Sequence, residues 1–241
     1  MTIENIEKNL LVIVTRLLML TLPLIVLIPG LLQIILKNKS DPGFGLKDNM
    51  EDTGERQIPK VPGTLKNIDI KHLERYRWAS SYTHGKHVYD IACGTGYGSL
   101  LLEASSYTGF DNSLEVVTYA SKYYVTDPST TFKQVDACSM SPSLGVTDVI
   151  VSFETIEHIK NPEAFLTWCK SHGKLLLISS PIRGSFGRSR FHLFEYRLEE
   201  FNEILSKYFS KVTMFIQRKN AEIIYPCLTN DKGVAVAVCQ P

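Results

Sequence analysis

The chain has 241 residues, enough for one sizeable domain with a core and some additions, and its 26 basic and 25 acidic side chains leave a formal charge of +1. That balance gives no bulk-charge case for a nucleic-acid binder, so no nucleic-acid partner is expected. Five cysteines (Cys93, Cys138, Cys169, Cys227 and Cys239) form no CxxC pair, and an odd, scattered set suits a reducing compartment rather than a disulfide framework.

Leu17 to Leu36, LLMLTLPLIVLIPGLLQIIL, carries no charged residue. At about 1.5 Å rise per residue, roughly 20 helical residues cross a hydrocarbon core of about 30 Å. Pro23 and Pro29 are tolerated more easily in a membrane helix than in a soluble one. A signal peptide has a shorter apolar region and a small-residue cleavage site, and no convincing site follows here. Residues 1–40 therefore read as a membrane anchor. Lys37, Lys39 and Lys47 follow the span, against Lys8 and Arg16 before it, a bias that places the C-terminal body in the cytosol. The expected localisation is a single-pass membrane protein with a cytosolic domain.

Residues 41–66, rich in glycine, proline and charge, read as a linker or arm. The remaining domain, 67–241, opens on a helical pattern in IDIKHLERYRWASSY. Strands are expected at Val88–Ala92, Tyr107–Phe110, Thr131–Val135, Asp148–Phe153, Lys174–Ser179, Lys211–Gln217 and Gly233–Cys239, with helices between most of them. Ser113 caps one helix, Asn161-Pro162-Glu163 starts another, and Leu198–Phe209 carries a helical apolar stripe. The last two strands are joined by a connection without a helix, which favours an antiparallel pair at one edge. The expected fold is α/β, a doubly wound, mostly parallel seven-stranded sheet with an antiparallel edge strand, preceded by a transmembrane helix.

In VYDIACGTGYGSLL, Gly94, Gly96 and Gly98 follow the first strand, where ligands of open parallel sheets bind. No Lys-Ser/Thr pair follows, so this is not a P-loop, and Ser99 breaks the dinucleotide pattern. Asp90 lies inside the strand before the loop, Asp111 ends the second strand, where a carboxylate accepts both ribose hydroxyls, and Asp136 follows the third, placed to accept from an exocyclic amine. Three acids at three successive strand ends point to a cationic nucleoside without phosphates.

DIACGTGYGS, GFDNS, VDA and DVIVSFETIEHI resemble the successive motifs of class I S-adenosylmethionine-dependent methyltransferases, in order from Lys86 to the C-terminus. The resemblance implies S-adenosyl-L-methionine as cofactor, with Gly94, Gly96 and Gly98 along its methionine half, Asp90 near its ammonium, Asp111 on the ribose, Asp136 at the adenine, and Glu154 near the methyl group and acceptor. TGERQIP, HLERYRWA and FHLFEYRLEEF are similar to stretches of methyltransferases that accompany glycosyltransferases in bacterial surface-glycan synthesis, where an amino-terminal arm and helix cover the cofactor. Arg75 and Tyr76 would then meet its carboxylate. That group often has asparagine after the proline closing the fifth strand; this chain has Ile182.

An acceptor hydroxyl benefits from a base, and His192 and His158 are the candidates, His192 the first choice. Glu154, Glu157, His158 and His192 also resemble a divalent-metal set in some methyltransferases of small RNAs and quinone precursors. ETIEHI occurs in metal-free relatives too, and no metal is assigned. Arg183, Arg188 and Arg190, among glycines and serines after the fifth strand, read either as a solvated basic loop or as contacts for an acceptor phosphate or anionic lipid. The function expected is methyl transfer, at oxygen, to a small-molecule, glycan or lipid-linked acceptor at a membrane. The alternatives are a methyltransferase of a quinone or other membrane lipid, and a cofactor-binding scaffold without catalysis.

Overall fold

The computed structural model describes residues 56–186, 189–224 and 232–241, all within the unit Asn49–Pro241. The expected membrane span, Arg188 and Cys227 lie outside the described residues. Among the described residues, no helix is long and apolar enough to cross a membrane.

Among the described residues, eight strands form one sheet: β1 His87–Ile91, β2 Ser106–Asp111, β3 Thr130–Gln134, β4 Val149–Phe153, β5 Leu176–Pro181, β6 Lys211–Gln217, β7 Ile223–Ile224 and β8 Val234–Gln240. Their spatial order is β3-β2-β1-β4-β5-β8-β6-β7. The first five run parallel, and β8 is antiparallel to both β5 and β6. The seven long strands and the antiparallel pairing of the last two match the sequence expectation. The reversed strand enters between β5 and β6, which explains why VAVAVCQ is apolar at almost every position: all but its last residue are buried. The two-residue β7 is an addition at the edge, too short to leave a periodic signal.

The helices are α1 Ile70–Thr83, α2 Leu114–Tyr123, α3 Pro162–His172 and α4 Leu198–Tyr208. Asp69, Ser113 and Asn161 cap the first three, each side chain accepting a backbone N–H of the opening turn. After β1 and β3 the chain makes only short 3-10 turns, Tyr97–Leu100 and Ala137–Ser139. The strand period of two divides the core. Val149, Val151 and Phe153 of β4 face one layer with α1 and α2, and Ile150 faces the other with α3 and α4.

Beneath the glycine loop lies a buried acid. Asp90 is fully buried, and its carboxylate accepts from Tyr107 Oη at 2.7 Å and from Tyr76 Oη at 3.1 Å. A Cβ on Gly98 would collide with the Tyr76 ring, and one on Gly96 would meet Ala120 and Phe132 inside 3 Å. These two glycines let the loop close onto α1, α2 and β3. Burial pushes the Asp90 pKa from 3.8 up to about 7; the tyrosine hydroxyls oppose the rise, and nearby Asp111 adds to it.

A folded-state pKa above the unfolded value favours the protonated acid in the fold. Its contribution is complete below about pH 4 and is lost as pH rises through about 7. Asp90→Asn keeps the shape without the charge. Its urea midpoint is expected to gain on the wild type between about pH 4 and 7 and to run parallel above that range; a constant difference across the range would contradict the assignment.

Candidate active site

The carboxyl ends of β1 and β4 flank the point where strand order reverses, and a cavity of about 400 Å³ opens there. Gly94, Asp111, Asp136, Glu154 and His158 line it, from the ends of the first four strands and the connections that follow them. Of the three motif glycines only Gly94 faces this space, with φ +57° and nothing within 4 Å of a Cβ placed on it. Two non-glycine residues on the wall, Ala92 and Glu154, hold left-handed backbone at φ +59° and +49°. Such strain costs on the order of 1 kcal/mol or more per residue and persists only where neighbours enforce it. At Glu154 the enforcement is visible: its N–H meets both the carbonyl and the hydroxyl of Ser179, each at 3.1 Å.

Asp111 is oriented from below. Its Oδ2 accepts from Gly94 N at 3.1 Å and its Oδ1 from Ser113 N at 3.0 Å, which leaves lone pairs on both oxygens toward the cavity. Asp136 caps the turn after β3 through Cys138 N at 2.8 Å and lines the same space. A pair of carboxylates so placed fits vicinal hydroxyls and an exocyclic amine.

Four expected ligand contacts lie elsewhere. Asp90 does not line a cavity, because β1 directs its side chain under the loop, where two tyrosines take it. Tyr76 is one of them; its ring packs edge-on against Tyr97 and Phe153 in the core. Gly96 and Gly98 are occupied by the packing described above. Only Arg75 of the adjacent pair reaches the ligand space.

Arg75 enters a second cavity of about 220 Å³, which shares Glu154 with the first and is also lined by Lys71, His72 and His192. The Arg75 side chain is 1% exposed, and its Nη2 pairs with Glu154 at 2.5 Å. Its Nε and Nη1 are buried without a hydrogen-bond partner. Against the cost of burial, this guanidinium and then His72 hold the Glu154 carboxyl below the usual range. Burial likewise lowers the His72 pKa, with Glu154 opposing and Arg75 reinforcing. The first cavity is therefore acid-lined and the second carries the fixed cations.

His158 sits in the 3-10 turn Ile156–His158, and its Nδ1 contacts the Phe191 carbonyl at 3.1 Å. His192 lies edge-on to it, ring centroids 4.9 Å apart. Ligand atoms of Glu157, His158 and His192 lie within 4.8 Å of one another, a group with the chemistry to hold a divalent ion. Glu157 is 1% exposed, neither carboxylate oxygen meets a partner in good geometry, and burial, with Glu154 nearby, pushes its pKa from 4.5 up to about 8. Ile182, where surface-glycan methyltransferases often have asparagine, is buried against α3 and α4 and lines neither cavity.

Sequence reasoning missed the contacts of Arg56 and Gln57. Arg56 lines the first cavity and Gln57 the second; the Gln57 carbonyl accepts from Thr95 Oγ1 at 2.9 Å and its side chain from Asp69 N at 3.1 Å. Both belong to the TGERQIP stretch. Arg183 stays exposed but engaged: Nε and Nη2 donate to the Glu195 carbonyl, and Nη2 pairs with Glu200 at 3.1 Å. These bonds brace its loop.

Residues 73–214 match the methyltransferase domain family. A probable S-adenosylmethionine-dependent methyltransferase of Mycolicibacterium smegmatis is 27% identical over 177 residues, 68% of this chain and 67% of that one. One from Mycobacterium tuberculosis is 26% identical over 166 residues, and the match spans 64% of this chain and 58% of the relative. The plantazolicin methyltransferase BpumL, solved with S-adenosylhomocysteine, superposes with a TM-score of 0.54 at 17% identity over 70% of this chain and 83% of its own, a likeness of fold. The glycine turn, the strand-end carboxylates and the matched stretch from α1 to β6 agree: the chain belongs to the methyltransferase domain family and is an S-adenosylmethionine-dependent methyltransferase.

Proposed function

We propose that the enzyme methylates a hydroxyl of a glycan or lipid-linked sugar precursor at a membrane, held there by residues 1–40 with its catalytic domain in the cytosol. The observation that carries the site reading is the pair of adjoining cavities joined at Glu154, one acid-lined and one cationic, with His158 on the first and His192 on the second. The uncharged run Leu17–Leu36 supports the membrane setting. The likeness of TGERQIP, HLERYRWA and FHLFEYRLEEF to surface-glycan methyltransferases supports the acceptor class.

Bound in the first cavity, S-adenosylmethionine supplies a methyl group already activated on a sulfonium. Asp111 holds the ribose hydroxyls and Asp136 the adenine amine. Arg75 would receive the amino-acid carboxylate on a donor that lacks a partner, a charge-assisted bond. Glu154 fixes Arg75 and places negative charge beside the methyl donor's cationic centre. Arg56 and Gln57 close the arm over the mouth and exclude water. His192 would take the proton of the acceptor hydroxyl as the carbon–oxygen bond forms and the methyl–sulfur bond breaks, leaving S-adenosylhomocysteine, and His158 would orient His192 from the facing cavity. Most of the rate comes from orientation, since the leaving group needs no further activation.

A second reading has a specific observation behind it: Glu157, His158 and His192 hold a divalent ion that lowers the acceptor's pKa in place of a histidine base. Turnover on an acceptor panel separates the two. With His192 as base, His192→Ala is expected to lose about 10²–10⁴-fold in kcat with little change in cofactor affinity, and EDTA is expected to leave the wild type active. Activity that vanishes with EDTA and returns with magnesium or manganese would assign the ion instead.

A further inference from the structure

Ten large hydrophobic side chains are exposed among the described residues, and four of them, Phe186, Phe191, Leu193 and Phe194, fall on one short segment between β5 and α4. Single exposed apolar residues need no explanation; a concentration around one cavity mouth does. These four surround His192. Phe186 lines the second cavity and Phe191 the first, while Leu193 and Phe194 are held in place by N–H bonds to the Glu157 carbonyl at 2.8 and 3.1 Å. Leu193 is the most exposed of them at 53%. Cations lie on two of the rings: Lys71 Nζ is 5.2 Å from the Phe186 centroid and the Arg190 guanidinium 4.7 Å from that of Phe191.

We propose that Phe186, Phe191, Leu193 and Phe194 form a docking surface for an anionic bilayer, so that the second cavity, which His192 lines, opens against the lipid headgroups. Aromatic and aliphatic tips beside basic side chains match that interface, where apolar groups enter the acyl boundary and cations meet the headgroups. The chain's own length argues for this occupant. Only residues 37–55 lie between the uncharged run ending at Leu36 and Arg56 at the cavity mouth. A coil of that length would span about 25 Å on average, so a face near Arg56 would be within reach of the surface. The inference rests on the membrane-anchor reading.

The test uses the full chain in phosphatidylcholine vesicles containing dibrominated acyl chains, with and without phosphatidylserine. Phe194→Trp reports on the proposed face, and Val146→Trp, just before β4 at the opposite end of the sheet, is the reference. With phosphatidylserine, the emission added by Phe194→Trp is expected to be quenched at least about threefold more than that added by Val146→Trp, and Leu193→Glu in the same background is expected to abolish the difference. A chain that resists carbonate extraction but quenches equally at both positions overturns the docking surface and leaves the anchor standing. Quenching of the Phe194→Trp signal that high salt reverses, in a chain that carbonate extracts, removes the anchor and keeps the docking surface. Equal quenching in an extractable chain overturns both. The double variant Leu193→Glu with Phe194→Glu, its S-adenosylhomocysteine affinity serving as the folding check, is expected to lose turnover in anionic vesicles and keep it in detergent. Equal loss in both would assign these side chains to an apolar acceptor and overturn docking.

Discussion

The site depends on one buried charge. Arg75 is carried into the interior by α1, and a guanidinium at 1% exposure is tolerated only when paired. The structure gives it a single carboxylate, Glu154, and leaves two of its donors with none. Each unmet donor costs about 1–3 kcal/mol, a penalty that an incoming carboxylate recovers. The strained backbone at Glu154 belongs to the same arrangement. Left-handed φ at the end of β4 turns the side chain back toward α1, and the two bonds from its N–H to Ser179 hold it there. The fold therefore stores a partly satisfied ion pair between the two cavities.

The glycine loop and its acids divide into a layer that touches the ligand space and a layer that supports it. Gly94 and Asp111 form the first, joined by one N–H bond. Asp90, Tyr76 and Tyr107, with Gly96 and Gly98 above them, form the second. The supporting layer sets the loop's height: any side chain at Gly98 would strike Tyr76, which Asp90 holds from beneath.

Much of this was legible in the sequence because its signals are local. The seven long strands were located to within about two residues; β4, β5 and β8 read as continuous apolar runs because strands buried on both faces lose the polar alternation, whereas the edge strand β3 keeps it. Capping side chains fixed the starts of α2 and α3. The place of Asp111 on a cavity wall was legible, because a strand-end carboxylate has one direction open to it. That of Asp90 was not, because the sequence does not say which partners a side chain inside a strand will meet, and those partners, Tyr76 and Tyr107, come from α1 and β2. The same limit applies to Glu157. ETIEHI shows an acid, but its burial depends on a segment more than thirty residues downstream folding over it, where Leu193 and Phe194 bond to its carbonyl. Arg183 read as either solvated or ligand-facing, and the structure engages it with Glu195 and Glu200.

Calorimetry of S-adenosylhomocysteine against 5′-methylthioadenosine, which lacks the amino-acid carboxylate, tests the role of Arg75 most directly. The wild type is expected to prefer S-adenosylhomocysteine by about 2–3 kcal/mol, some 30- to 150-fold, and Arg75→Met to lose most of that preference while keeping its affinity for 5′-methylthioadenosine. A folded Arg75→Met protein with the preference intact would show that Arg75 only packs α1 and that the carboxylate is held elsewhere.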